Sequence, residues 1–366
     1  MHDTAFWISM AFCHTFPAHS TAAMDFFWDD DEYTEVVTIL LQAGMLDDDD
    51  HIVPPEPAAP YVWGSGSRRG KAPNLERRRV FYSHLLFNDF WGDAPLYNAS
   101  YFKRFFKLPI GLFNEIVANA VAHDNYFAQK RDASGKLGLT PLQKICSAVR
   151  QLTSGVSPAD HDDKYCLAES TGMESLMRFC NAVTAGYSAD ALRQPNAADI
   201  NQLLDEGYVA GFPGCIGSID CMHWEWKNCP SAWKGMFQGE AGVPTVVLEA
   251  IAESRTHFWH FNFGAPGTLN DLNILERSPL FENAVRGEAP CVNFNVNGNE
   301  YNYAYWLGDG IYLNYACFVK TFPQPTTRMQ KMFASAQEAK RKDIEHAFGI
   351  LQARFHILTS GCRLLE

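Results

Sequence analysis

The ten cysteines of this 366-residue chain never form a CxxC pair, so the usual spacing of a zinc knuckle or a redox dithiol is missing. Scattered from Cys13 to Cys362, they read as free, mostly buried thiols in a reducing compartment rather than a disulfide framework. No stretch comes near the roughly 20 uninterrupted apolar residues of a membrane span. The aromatic first residues also lack a basic start and a clear cleavage site. A soluble, intracellular chain with no membrane partner is the expectation. Basic charge is short as well: 30 Lys and Arg face 42 Asp and Glu, for a net charge of −12. That sign excludes indiscriminate coating of nucleic acid, so any such contact must come from local basic patches.

The composition that remains, 47% apolar, 20% charged and 13% aromatic, suits a globular protein of two or three domains with a sizeable core. Residues 1–75 hold two acidic runs (Asp29 to Glu32 and Asp47 to Asp50), the proline cluster PPEPAAP and the string GSGSRRG. This acidic amino-terminal stretch is expected to be mostly disordered, with a short helix over EVVTILLQAGML. The segment RRGKAPNLERRR carries Arg68, Arg69, Lys71, Arg77, Arg78 and Arg79. It fits a solvated linker, a phosphate-contacting arm or a nuclear import signal.

Residues 76–205 read as helical. In TPLQKICSAVRQLTSG, Thr140 is a natural N-cap, Pro141 fits the first turn, and Leu142, Ile145, Val149 and Leu152 mark one face up to Gly155. ESTGMESLMRFCNAV predicts a second helix with Leu176, Phe179, Cys180 and Val183 inward. The pair suits either a helix-turn-helix DNA reader or a plain helical support, and the second helix offers only Arg178 as an exposed base.

Residues 206–366 carry the strands. GCIGSIDCMHW, PTVVLEAIAES and THFWHFNFGAPG read as three consecutive strands. NDLNILERSPLFENAV follows as a helix, YNYAYWLGDGIY as a returning strand, and Ala336 to Leu358 as a late helix burying Ile344, Phe348, Leu351 and Phe355. That order matches an RNase H-like α/β core, a mixed sheet with flanking helices, in which acids at strand ends and on the late helix meet at one sheet edge.

Four acids stand where solubility explains them poorly. Asp220 ends an apolar run, Asp271 follows the turn of GAPGTLND, Asp309 ends YAYWLGD, and Glu345 lies in RKDIEHAFGILQARF. Ionised acids beside a core are costly unless paired or bound to cations. With no matching basic partners evident, they suggest a hard divalent ion, Mg²⁺ or Mn²⁺, and phosphoryl-transfer chemistry. Each has a plainer reading. Asp271 suits the first turn of a helix, and Glu345 can pair with Arg341 four residues earlier. Glu249 in VVLEAIAE reads as structural. Lys340, Arg341 and Lys342 suit a grip on the DNA backbone or a solvated helix face. Cys215, Cys221, His223 and Cys229 form a weaker alternative set of ligands, since two of them flank Asp220 on a core strand.

Several long phrases resemble the PIF/Harbinger transposase family: GCIGSIDCMHWEWKNCPSAWKGMF, VLEAIAESRTHFWHFNFGAPGTLNDLNIL, WLGDGIYLNYACFVKTF and RKDIEHAFGILQARFHIL. Upstream, KLGLTPLQKICSAVRQLTSG, CLAESTGMESLMRFCNAV and ALRQP resemble its helical region, so the likeness covers roughly residues 76–360. It implies an RNase H-like DDE endonuclease that cuts at transposon terminal inverted repeats, with Asp220, Asp309 and Glu345 catalytic. Asp220, Asp271, Asp309 and Glu345 would together hold the divalent metal. It also implies double-stranded DNA as substrate, a separate Myb/SANT-like DNA-binding partner, self-association and a nuclear location, with cytoplasm as a further place. A domesticated, catalytically silent DNA-associated or adaptor protein is the alternative. The chain ends soon after Glu345, where that resemblance leads one to expect a further helix with a histidine-asparagine phrase.

Overall fold

The computed structural model describes residues 75–361 apart from 76, 133–134, 241, 281–285, 287–290 and 313. The acidic runs, the proline cluster, the helix expected over EVVTILLQAGML and most of the basic RRGKAPNLERRR segment lie outside the described residues. The chain divides into two compact units. One runs up to Gln151 and includes Ser157–Ala182; the other comprises Leu152–Val156 and everything from Val183 on.

The first unit is helical. It opens with α1 (Arg79–Phe90), α2 (Ala99–Phe106) and α3 (Ile110–His123), whose core is built from aromatic rings. Phe90, Trp91, Phe102 and Phe113 meet largely edge to face, the geometry ring quadrupoles favour. Helix α4 (Pro141–Ser154) starts where the sequence says it should. The Gln143 amide N–H donates to Thr140 Oγ1 at 3.3 Å and the Thr140 amide to Gln143 Oε1 at 3.1 Å, a reciprocal cap. Its stripe of Leu142, Ile145, Val149 and Leu152 is buried. A 3-10 turn over Pro158–His161 and the single-turn α5 (Asp162–Tyr165) then lead to α6 (Glu169–Ala191), which buries Leu176, Phe179, Cys180 and Val183.

The second unit holds α7 (Ala197–Val209), β1 (Cys215–Glu225), the one-turn α8 (Lys234–Phe237), β2 (Thr245–Ala252), β3 (Phe258–Pro266) and α9 (Asp271–Leu275). After these come β4 (Cys291–Val296), β5 (Asn299–Tyr303), β6 (Tyr305–Leu307), β7 (Phe318–Val319) and α10 (Arg328–Arg354). Five strands form one mixed sheet in the order β3-β2-β1-β6-β7. β2 runs antiparallel to both β1 and β3, while β6 returns parallel to β1 and β7 parallel to β6.

Several sequence expectations need correcting. The strand expected over GCIGSIDCMHW forms as β1 and ends at Glu225 against β2, with Asp220 in mid-strand rather than at a strand end. The strand expected over YNYAYWLGDGIY is split into β5 and β6, because β5 pairs with β4 as a separate hairpin. Asn297 and Gly298, both at positive φ, make its two-residue turn. Gly214 is what lets this hairpin seat: any Cβ there would strike the Phe294 ring, and its φ of 88° suits glycine. The late helix begins at Arg328, ahead of Ala336, because Thr327 and Gln330 cap each other. The helix expected over NDLNILERSPLFENAV is the short α9; part of its remainder lies outside the described residues.

Directly paired residues of antiparallel strands share a face. Ile219 and Cys221 therefore face the same way as Ile251 and Glu249. That side packs with Leu203 of α7, Leu275 of α9, Trp306 and Tyr312. Ser218, Asp220, Met222 and Trp224 face the other way, toward α10. Ser218 Oγ donates to the Lys340 carbonyl at 3.4 Å, and Gln352 Nε2 reaches Met222 Sδ at 3.2 Å. The stripe Ile344, Phe348, Leu351 and Phe355 is buried, as its spacing predicts. Higher on α10, the buried Gln337 side chain donates to the carbonyls of Gly308 at 3.0 Å and Val319 at 3.1 Å, tying the ends of β6 and β7 to the helix. Gln337→Ala leaves those carbonyls short of a donor and should cost about 1–3 kcal/mol of stability in urea unfolding. An unchanged midpoint would show that the amide is no tie.

Candidate functional site

Asp220 sits at the centre of the β1 ladder with its side chain 19% exposed. The Cys221 amide donates to its Oδ1 at 2.9 Å, and Arg341 Nη1 donates to its Oδ2 at 2.8 Å. Burial pushes its carboxyl pKa above the ordinary aspartate value despite both bonds. The second terminal nitrogen of Arg341 donates to Glu345 Oε1, one turn further along α10. One guanidinium thus spans an acid of the sheet and an acid of the helix. This corrects the expectation that the acids lack a basic partner. The i,i+4 spacing brings Arg341 over Glu345, and the packing of α10 on β1 brings it to Asp220. Burial works against its charge, but Asp220, Glu345 and Asp309 together hold the Arg341 pKa above its ordinary value.

Asp309 lies just beyond β6, its Oδ1 accepting from the Gly310 amide. Lys320 Nζ fixes this turn by donating to the Tyr312 carbonyl at 2.6 Å and the Gly310 carbonyl at 3.4 Å. Asp309 lies in the field of both Arg341 and Asp271. Asp271 is the first residue of α9, while its neighbour Asn270 makes the cap by accepting from the Asn273 amide at 3.0 Å. Its carboxylate pairs with the Cys221 thiol, on the opposite face of the sheet from Arg341. Burial pushes the Asp271 pKa up, with the Cys221 bond and His223 opposing and Asp309 and Glu249 adding to the rise.

Glu249 is wholly buried beside that cluster. Its Oε2 lies 3.4 Å from His260 Nε2, which also meets Ser278 Oγ at 3.2 Å, while Oε1 has no hydrogen-bond partner. The alternative cysteine-histidine set is a poor ligand group. Burial raises the Cys221 thiol far above its usual pKa and the Cys215 thiol to about 11, keeping both protonated. His223 Nδ1 is engaged by Thr245 Oγ1 at 2.9 Å. All eight described cysteines are free thiols.

Among the described residues, no three His, Cys, Asp or Glu side chains gather around one point. The faces explain why: Asp220 and Glu345 converge on the α10 side, Asp271 lies on the other, and Asp309 stands at the strand end between them. The donors nonetheless fit a hard cation, being carboxylate oxygens, two of them in half-buried groups. The Arg341 guanidinium already stands as a cation shared by two of the four.

A group whose folded pKa is raised favours folding while protonated and loses that advantage as pH rises through the folded value. Asp271→Asn, which cannot ionise, should therefore melt higher than the parent at neutral pH in EDTA. The difference should close as pH falls to 3.8, the ordinary aspartate value. Thermal melts across pH check this, and a gain that persists in acid would contradict it.

Residues 189–366 match the family described as Plant transposon protein. The chain is also similar to the protein named "Putative nuclease HARBI1" in Bos taurus, Mus musculus and Homo sapiens, at 23%, 23% and 22% identity over 62% of this chain. It spans 62% of the length of these relatives. No solved structure matches the chain. The matched region contains the five-stranded sheet, α10 and all four acids. These matches, together with the chain's own motifs, support a likeness to the Harbinger-type transposase family.

Proposed function

We propose that this protein is a divalent-metal-dependent DNA endonuclease of the DDE type, cutting at transposon terminal inverted repeats from an RNase H-like core. Three antiparallel strands, a parallel return strand and a long helix bearing an acid support that core. The observation that carries the reading is the convergence of Asp220 and Glu345 on one positive charge, with Asp309 in the same field. The likeness to a plant transposon protein family and to proteins named as putative nucleases supports nuclease chemistry.

Asp220, Asp309 and Glu345 are the residues that would hold a divalent ion, with Asp271 as a fourth acid reaching from the other face. The chemistry such an ion supplies is activation of water and stabilisation of the departing 3′ oxygen of the scissile phosphodiester. The protein's part is to hold the acids on rigid elements. Asp220 is fixed by the β1 ladder, Asp309 by the Lys320-braced turn and Glu345 by the packed α10. Lys340 is drawn to Asp343 at 2.7 Å and Arg341 to the acids, leaving Lys342 exposed on this helix for a phosphate.

An acidic chain with few free bases suits a division of labour in which a Myb/SANT-like partner supplies much of the DNA affinity. Cutting two transposon ends suits a self-associated form, and DNA as substrate suits a nuclear location. One observation favours the second reading, a domesticated and catalytically silent DNA-associated protein: Arg341 neutralises the very acids catalysis would need.

Purified protein with Mn²⁺ should nick duplex DNA bearing the element's inverted repeats, and Asp220→Ala should abolish nicking. Equal nicking by that variant discards the site. Absence of nicking by a parent protein that still binds DNA selects the silent reading.

A further inference from the structure

We propose that Arg341 is a resident cation that holds Asp220 and Glu345 together until a divalent ion displaces it, and so sets the metal concentration at which the site loads. The inference rests on the metal-site reading above and assigns a role to a residue outside the acid set.

The two ion pairs of Arg341 differ in kind. Its pair with Glu345 runs along one helix turn, as any i,i+4 spacing allows. Its 2.8 Å bond to Asp220 crosses from α10 to the middle of β1, between side chains only 22% and 19% exposed. Solvent and salt screen such a pair weakly. A largely buried carboxylate in mid-strand is costly to keep ionised without a positive neighbour. A guanidinium cannot lose its proton under these conditions, so it can only be exchanged for another cation. Its planar fork gives one nitrogen to each acid and holds them on either side of a single positive centre, the place an ion would take. Lys340 is not free to substitute, because Asp343 holds it.

What a divalent ion gains over the guanidinium is Asp309. That acid lies in the field of Arg341, while its Oδ1 accepts from the Gly310 amide. Exchange therefore trades two charge-assisted bonds for a doubly charged centre that the field of a third acid also favours. The released guanidinium stays on α10 beside Glu345, at the rim of the site. Arg341 acts here as a positioning residue: it organises the acids before the ion arrives and competes with that ion when it does.

Mn²⁺ titrations of the full chain test this, read by the electron paramagnetic resonance of free Mn²⁺ and by the melting-temperature shift. Arg341→Gln should bind Mn²⁺ about tenfold or more tightly than the parent, since the ion no longer breaks two charge-assisted bonds. Arg341→Lys, which keeps the charge but loses the fork, should fall between and serves if the glutamine variant folds poorly. Millimolar methylguanidinium should weaken Mn²⁺ binding by Arg341→Gln and leave the parent unaffected. Binding by both variants equal to or weaker than the parent's overturns the displacement model while the metal-site reading stands. Absence of Mn²⁺ binding in the parent and both variants overturns both.

Discussion

A charged group in the middle of a central strand is the constraint on which the site depends. Asp220 is held in place by the pairing of β1 with β2, two residues past the last β1–β6 pair at Ser218. It is too deeply placed to be satisfied by water alone, and one backbone amide offsets only part of its charge. A neighbouring cation therefore stabilises its ionised form, and α10 is packed where it supplies one. Helix position, arginine placement and the pairing with Glu345 all serve that end.

The sheet divides the chemistry. On one side, Asp220 and Glu345 answer to Arg341; on the other, Asp271, Cys221 and Glu249 cluster under Tyr312, where burial raises the Asp271 carboxyl and the Cys221 thiol. The two sides communicate at the strand end through Asp309. Rigid strands bring distant carboxylates near one another, but alternation along β1 sends Asp220 and Cys221 to opposite faces. A set of acids can therefore be close through space without sharing one centre.

Much of this was legible in the amino-acid order. The three long strands announce themselves by β-branched and aromatic residues, α4 by Thr140 and Gln143, and α10 by its buried stripe. The β4–β5 hairpin escaped because its strands are polar and exposed, although Asn297-Gly298 was a usable turn signal. β7 has only two residues, too few for any periodicity. The mid-strand place of Asp220 was harder to read, because its compensating charge lies 121 residues away. The Arg341–Glu345 half of the bridge could be read from spacing; the Asp220 half needed the packing of helix on sheet. The orphaned Glu249 Oε1 left no trace in the pattern, since a buried acid and a solvated one look alike in one dimension.

The Gln337 amide has a mechanical consequence. It grips the backbone at Gly308, next to Asp309, from a point eight residues before Glu345 on the same rod. Those positions lie roughly 12 Å apart along the axis. Any sliding or tilting of that rod against the sheet drags the Asp309 turn with it, so the two acids travel as one rigid jaw while Asp220 stays fixed as the other.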